Sequence, residues 1–249
     1  MNSLDEISVL KNKQSYTFED LLAVTRILRS ENGCPWDREQ DHHSIRAELI
    51  EETYEVIEAI DNEDSKLLRE ELGDLLFQIV FHSQIEAESE RFDIEGVIND
   101  ITAKMVHRHP HVFGDVNVEN SAQVLSNWEV IKTEEKQRNT LLEKLRAIPP
   151  MLPALMRASK VGKKIGQADK EAPEQLLDAL EQQIADTRVA LFEENGDPNH
   201  VIGALLMQIT DLSRVLGVNA EYALSKETDA LIERVAENSL KNDEKTKND

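Results

Sequence analysis

A chain of 249 residues holds one large domain or two small ones, and 40% hydrophobic content with only nine Gly and seven Pro allows real cores built from long helices. A formal net charge of −21 argues against holding a nucleic acid polymer on a basic face, although a small polyphosphate remains compatible because a bound divalent cation reverses the local sign. The single cysteine, Cys34, excludes an internal disulfide; no apolar run approaches the ~20 residues of a membrane span and no basic-then-apolar segment opens the chain, so a cytoplasmic protein without membrane attachment is expected.

Residues 1–17 read as a polar lead-in. From 18 to 29, Leu21, Leu22, Val24, Ile27 and Leu28 follow helical spacing. Asn32-Gly33-Cys34-Pro35 then ends that helix, because Gly accepts unusual backbone angles and Pro removes a donor. The following polar loop carries Trp36, which reads as a partly buried anchor, with a stacking surface as the alternative. Cys34 has no His or Asn arranged beside it for thiol chemistry.

Two longer helical patterns follow, over about 44–60 and 65–88, across a short polar break at 61–65. Each carries a carboxylate pair three residues apart: Glu52 with Glu55, and Glu71 with Asp74. Residues at that spacing share a helix face, so two antiparallel helices bring four acids toward one point. Glu71 and Asp74 also fall within the apolar arc of their helix, where an unpaired charge is costly. Converging carboxylates repel one another unless a cation sits among them, and hard oxygen donors suit Mg²⁺ or Mn²⁺. Glu51, four residues before Glu55, reads as a further ligand or a base acting on water, while Glu48 and Glu58 read as surface residues.

A helix over about 94–106 places Lys104 and Arg108 four residues apart, a spacing suited either to phosphate binding or to relief of the helix dipole. His107, His109 and His111 alternate through a Pro turn, a poor match to zinc-ligand spacing, and read as structural. Glu39-x-x-His42 is unpaired, which excludes a di-iron bundle. Residues 121–136 form another helical stretch with Trp128 and Lys132. With no period-two strand pattern, the chain reads as all-α. Pro149, Pro150 and Pro153 mark 139–153 as a linker, dividing a first domain over 18–138 from a second over 154–240; the polar tail 241–249 reads as disordered.

The second half repeats the first. Gly73-Asp74-Leu75-Leu76-Phe77-Gln78-Ile79-Val80 aligns with Gly203-Ala204-Leu205-Leu206-Met207-Gln208-Ile209-Thr210. In that register Glu71 corresponds to Val201 and Asp74 to Ala204; with short gaps Glu52 corresponds to Gln183, Glu55 to Asp186, Lys104 to Ala230 and Arg108 to Arg234. The core pattern is kept while most of the charge is lost, so the acids of the first half act as one unit.

At these residues the chain resembles the MazG family of nucleoside triphosphate pyrophosphohydrolases. The family pattern E-E-x-x-E…E-x-x-D stands here as Glu51-Glu52-x-x-Glu55…Glu71-x-x-Asp74. N-G-C-P-W-D at 32–37, G-D-L-L-F-Q at 73–78, R-F-D at 91–93, R-H-P-H-V-F at 108–113 and W-E-V-I-K-T-E-E at 128–135 extend the likeness, as does L-P-A-L-M-R-A at 152–158. The resemblance implies tandem all-α bundles that dimerise and hydrolyse a nucleoside triphosphate to the monophosphate and diphosphate with Mg²⁺. It implies Glu52, Glu55, Glu71 and Asp74 as metal ligands, Lys104 and Arg108 on the phosphates, and Trp128 and Lys132 near the nucleotide. The second half departs from the pattern, which assigns catalysis to the first; the competing reading is a catalytically weak or inactive dimerising regulator.

Overall fold

The structure, a computed structural model, describes residues 3–136, 140–191 and 197–247, and every regular element among them is helical. The chain forms two compact units, Met1–Trp128 and Glu129–Asp249. The boundary falls inside a helix, ahead of the 139–153 segment expected as the linker.

The first unit opens with α1 (Ser3–Asn12), where the sequence reading expected only a polar lead-in. Charge rather than apolar periodicity fastens this segment: Glu6 pairs with Arg26 at 2.5 Å, and Lys13 just beyond the helix pairs with Asp20 at 2.5 Å. Helix α2 (Phe18–Arg29) starts at a capping box, in which the Asp20 amide donates to Thr17 Oγ1 and the Thr17 amide to Asp20 Oδ2. It stops where the Cys34 amide reaches back to the Leu28 carbonyl at 2.8 Å. Gly33 lies so close to this helix end that a Cβ would stand 2.2 Å from the Ile27 carbonyl oxygen.

The polar stretch around Trp36 is not a loop but a short helix, α3 (Pro35–Glu39), because Pro at the first helical position fits the backbone and forfeits no hydrogen bond. Trp36 is 58% exposed, so it does not anchor the segment. Arg29 does. Its buried guanidinium donates to the Asp37 and Gln40 carbonyls and to both carboxylate oxygens of Glu88, and lies 5.0 Å from the Phe81 ring centre.

Helices α4 (Arg46–Asp61) and α5 (Ser65–Glu88) form an antiparallel hairpin. Glu63 turns the chain with φ 52°, and Asp64 caps α5 by accepting from the Lys66 and Leu67 amides. The hairpin packs inward through Ile45, Ala59, Val80, Phe81 and Ile85. Its opposite apolar stripe, with Ile50, Ile57, Ile60, Leu72, Leu76 and Ile79, stays exposed in the single chain. The apolar arc expected to surround Glu71 and Asp74 is therefore wet here. Helix α6 (Ile94–Arg108) follows, capped by Asp93, then α7 (Pro110–Phe113) and α8 (Ser121–Lys136), which carries the boundary between the units.

The second unit contains α9 (Leu141–Arg146), within the expected linker, then α10 (Ala154–Ile165), a 3-10 turn at Ala168–Lys170, α11 (Pro173–Ala190), α12 (Pro198–Val215) and α13 (Ala220–Lys247). Residues 241–247, expected to be disordered, continue α13; 248–249 lie outside the described residues. The internal repeat reappears as architecture. α11 and α12 form a hairpin as α4 and α5 do, α10 packs on α12 as α2 packs on α5, and α13 follows α12 as α6 follows α5. Equivalent positions behave alike: Val80 and Thr210 are almost fully buried, and the Ser83 and Ser213 hydroxyls each donate to the carbonyl four residues back at 2.8 Å.

Candidate metal centre

The hairpin's one-turn spacing brings acids from two helices together. A carboxylate oxygen from each of Glu52, Glu55 and Glu71 lies within 4.8 Å of the others. All three residues are at least partly buried, with Glu55 crowded against both Glu52 and Glu71. Burial first, then the charges of Asp74 and Glu55, push the Glu52 carboxyl above its ordinary pKa. Burial, then the charges of Glu55 and Asp74, push Glu71 in the same direction. Asp74 is exposed and outside the three-carboxylate cluster, but its charge is felt by both. Three mutually repelling oxygen donors fit a hard divalent cation, which would replace repulsion by attraction.

Glu48 sits one turn before Glu52 on α4. The sequence reading placed it on the surface; it is instead partly buried, and its Oε2 is sealed from solvent with no hydrogen-bond partner. Glu51 is exposed and lies outside the cluster.

The two expected phosphate-binding cations differ. Lys104 is exposed, whereas Arg108 is 7% exposed, with its guanidinium carbon 5.1 Å from the centre of the Trp128 ring. The structure thus joins Arg108 to Trp128, a pairing no sequence spacing announces. Lys132, one turn further along α8, stands 3.8 Å from Glu129. His109 Nδ1 lies 2.6 Å from the Met105 carbonyl and its ring 5.6 Å from that of His111, in keeping with structural roles.

A second polar cluster went unread in the sequence. His42 Nδ1 lies 2.8 Å from His82 Nδ1 with the rings stacked, and His42 Nε2 lies 2.5 Å from Glu86. Arg91 donates to both Glu86 oxygens, at 2.5 and 2.7 Å. The Arg91 hydrogen bonds, followed by that of His42, outweigh burial and lower the Glu86 carboxyl to about 2. Burial, then the His42 charge, lowers His82. The cluster ties the segment entering α4 to the end of α5.

In the second unit the equivalent of the metal centre is gone. Val201 is buried as part of the core, and Asp186 accepts a hydrogen bond from Gln182 at 2.8 Å. Among the described residues, no cluster like that of Glu52, Glu55 and Glu71 occurs there.

Residues 40–113, which hold the acidic hairpin, Lys104 and Arg108, match the model of the MazG nucleotide pyrophosphohydrolase domain. The chain is 40% identical over 222 residues to the nucleoside triphosphate pyrophosphohydrolase/pyrophosphatase MazG of Thermotoga maritima, covering 87% of this chain and 83% of that protein. It is 40% identical over 224 residues to the nucleoside triphosphate pyrophosphohydrolase of Escherichia coli K12, covering 87% of this chain and 85% of that one. The Bacillus subtilis protein YabN, described as uncharacterized, is 43% identical over 169 residues, which span 66% of this chain and 34% of YabN. With the acidic hairpin inside the matched region and the likeness running through both halves, the chain belongs to the MazG family.

Proposed function

We propose that this protein is a divalent-metal-dependent nucleoside triphosphate pyrophosphohydrolase, converting a (deoxy)nucleoside triphosphate and water to the monophosphate and diphosphate. The observation that carries the reading is the meeting of Glu52, Glu55 and Glu71 on one hairpin of a MazG-family chain. The names of the relatives from Thermotoga maritima and Escherichia coli support the same activity.

In this reading Glu52, Glu55, Glu71 and Asp74 hold Mg²⁺, with Mn²⁺ as an alternative. The ion supplies charge neutralisation on the phosphates and a more acidic water. The four carboxylates would fix its position, and its positive charge would offset the crowding of acids that raises Glu52 and Glu71. Lys104 adds positive charge to the leaving diphosphate, and Arg108, held against Trp128, presents its guanidinium edge to a phosphate. Glu51, exposed beside the cluster, serves either as a further ligand or as the base on the attacking water, while Trp128 and Lys132 border the nucleotide. Catalysis belongs to the first half, and the second half serves assembly.

The working form is a cytoplasmic homodimer. The exposed stripe of Ile50, Ile57, Ile60, Leu72, Leu76 and Ile79 supports the dimer, since so many large apolar side chains on one hairpin ask for a cover. Among the described residues no single helix is long and apolar enough to cross a membrane.

The test is a panel of ribo- and deoxyribonucleoside triphosphates incubated with the purified chain and Mg²⁺, with diphosphate release as the readout. Wild type releases diphosphate, EDTA stops it, and Glu71→Gln and Asp74→Asn abolish it with helix content unchanged. Release at the wild-type rate by either variant would refute the metal assignment; no release from any member of the panel would favour a non-catalytic module.

A further inference from the structure

Of all the acids on α4, Glu48 alone has an oxygen that is sealed from solvent and has no hydrogen-bond partner. A sealed carboxylate oxygen with no partner is unfavourable, and a water or ion is one thing that can complete it; among the described residues the other such atoms, His82 Nε2 and three in the second unit, are not carboxylate oxygens. Position tells what that is. Glu48 precedes Glu52 by four residues, one turn of about 5.4 Å, on the helix that carries two of the three converging carboxylates. Among the described residues Glu48 makes no ion pair.

We propose that Glu48 is an outer carboxylate of the metal centre: its buried oxygen accepts a hydrogen bond from the ion's hydration shell and so fixes how the ion is held by Glu52, Glu55 and Glu71. Mg²⁺ and Mn²⁺ suit such an arrangement because they bind few carboxylates directly and keep several waters. Outer-layer partners of this kind change metal affinity by about 10–100-fold when removed. The proposal rests on the metal-site reading and extends it by a residue that the E-E-x-x-E…E-x-x-D pattern leaves out. Glu48 is a positioning residue, acting on the ion through its water.

The experiment is direct Mn²⁺ binding to the full-length chain without nucleotide, followed by the loss of the free-ion paramagnetic resonance signal and by calorimetry. Four proteins are compared: wild type, Glu48→Gln, Glu71→Gln, and Glu58→Gln, which removes an equal charge at an exposed position on the same helix. The expected result is affinity at least about tenfold weaker in Glu48→Gln, within about twofold of wild type in Glu58→Gln, and lost in Glu71→Gln. Glu48→Leu, which removes both the charge and the acceptor, weakens binding at least as much as Glu48→Gln. Equal affinity in wild type and Glu48→Gln overturns the proposal, as does an equal loss in Glu48→Gln and Glu58→Gln, which would mark a general field effect. Failure of wild type itself to bind Mn²⁺ overturns the metal-site reading beneath it, a distinct outcome.

Discussion

Replacing Glu52 by Gln separates the two opposed roles that the hairpin gives this residue. Without metal, Glu52 repels Glu55 and Glu71, whose oxygens lie within 4.8 Å. Two unit charges at that distance in a water-like dielectric repel by about 0.9 kcal/mol per pair, and physiological salt roughly halves it. Glu52→Gln therefore stabilises the metal-free protein by about 1 kcal/mol, or roughly 2–4 °C in Tm for a chain of this size. With metal the order reverses: wild type gains about 2.7 kcal/mol at a hundred times Kd, and the variant gains little. The assay is thermal unfolding followed by circular dichroism, in EDTA and across a Mg²⁺ titration. The pH dependence has a fixed sign. Burial and neighbouring charge raise Glu52 and Glu71 in the folded state, so the metal-free wild type loses stability as pH rises above the unfolded carboxylate value near 4.5. The gap between variant and wild type in EDTA thus opens above that pH and closes below it. A variant less stable than wild type in EDTA, yet equally stabilised by Mg²⁺, would refute the reasoning.

Other consequences concern the scaffold behind the site. Arg29→Met leaves Glu88 and two carbonyls without their donor and costs about 3 kcal/mol, read as a lower urea midpoint; a change below about 1 kcal/mol would deny Arg29 its anchoring role. Gly33→Ala drives a methyl into the Ile27 and Leu28 carbonyls and lowers stability; unchanged unfolding would contradict the close approach. The histidine cluster sets the acid limb. His82 is lowered in the fold, so stability falls as pH drops through its unfolded value near 6.5, and Glu86, lowered to about 2, adds a second loss between about 4.5 and 2. His82→Phe removes the first loss and leaves the second, as acid titration of the far-ultraviolet signal will show; retention of both would place the first loss elsewhere.

The hairpin was legible because its signals agree. The apolar spacing, the polar break with Asp64 as cap, and acids three apart all specify two facing helices. The all-α class and the faded second copy were legible for the same reason: α11 and α12 keep the pattern while Val201 and Ala204 take the places of the acids. What escaped depends on contacts between distant residues. Helix α1 has little apolar periodicity, and its charge contact with α2 bridges twenty positions. Helix α3 was hidden because a proline that ends one helix also opens the next. Trp36 is exposed against the usual tendency of its type, and the buried Arg29 holds the segment by its bonds to the Asp37 and Gln40 carbonyls. Glu48 was indistinguishable from its acidic neighbours, since solvent access and lost partners follow from packing and not from spacing. Arg108 with Trp128, and His42 with His82 and Glu86, are likewise made by the fold.

The central claim is that the carboxylates of the first hairpin direct water to the α-phosphorus of a nucleoside triphosphate. The most direct measurement is turnover in ¹⁸O-enriched water with Mg²⁺, with mass analysis of the products from wild type and Glu71→Gln. The account predicts one ¹⁸O in the nucleoside monophosphate, none in the diphosphate, and no products from the variant. Label in the diphosphate, nucleoside diphosphate with free phosphate as products, or undiminished turnover by Glu71→Gln would contradict it.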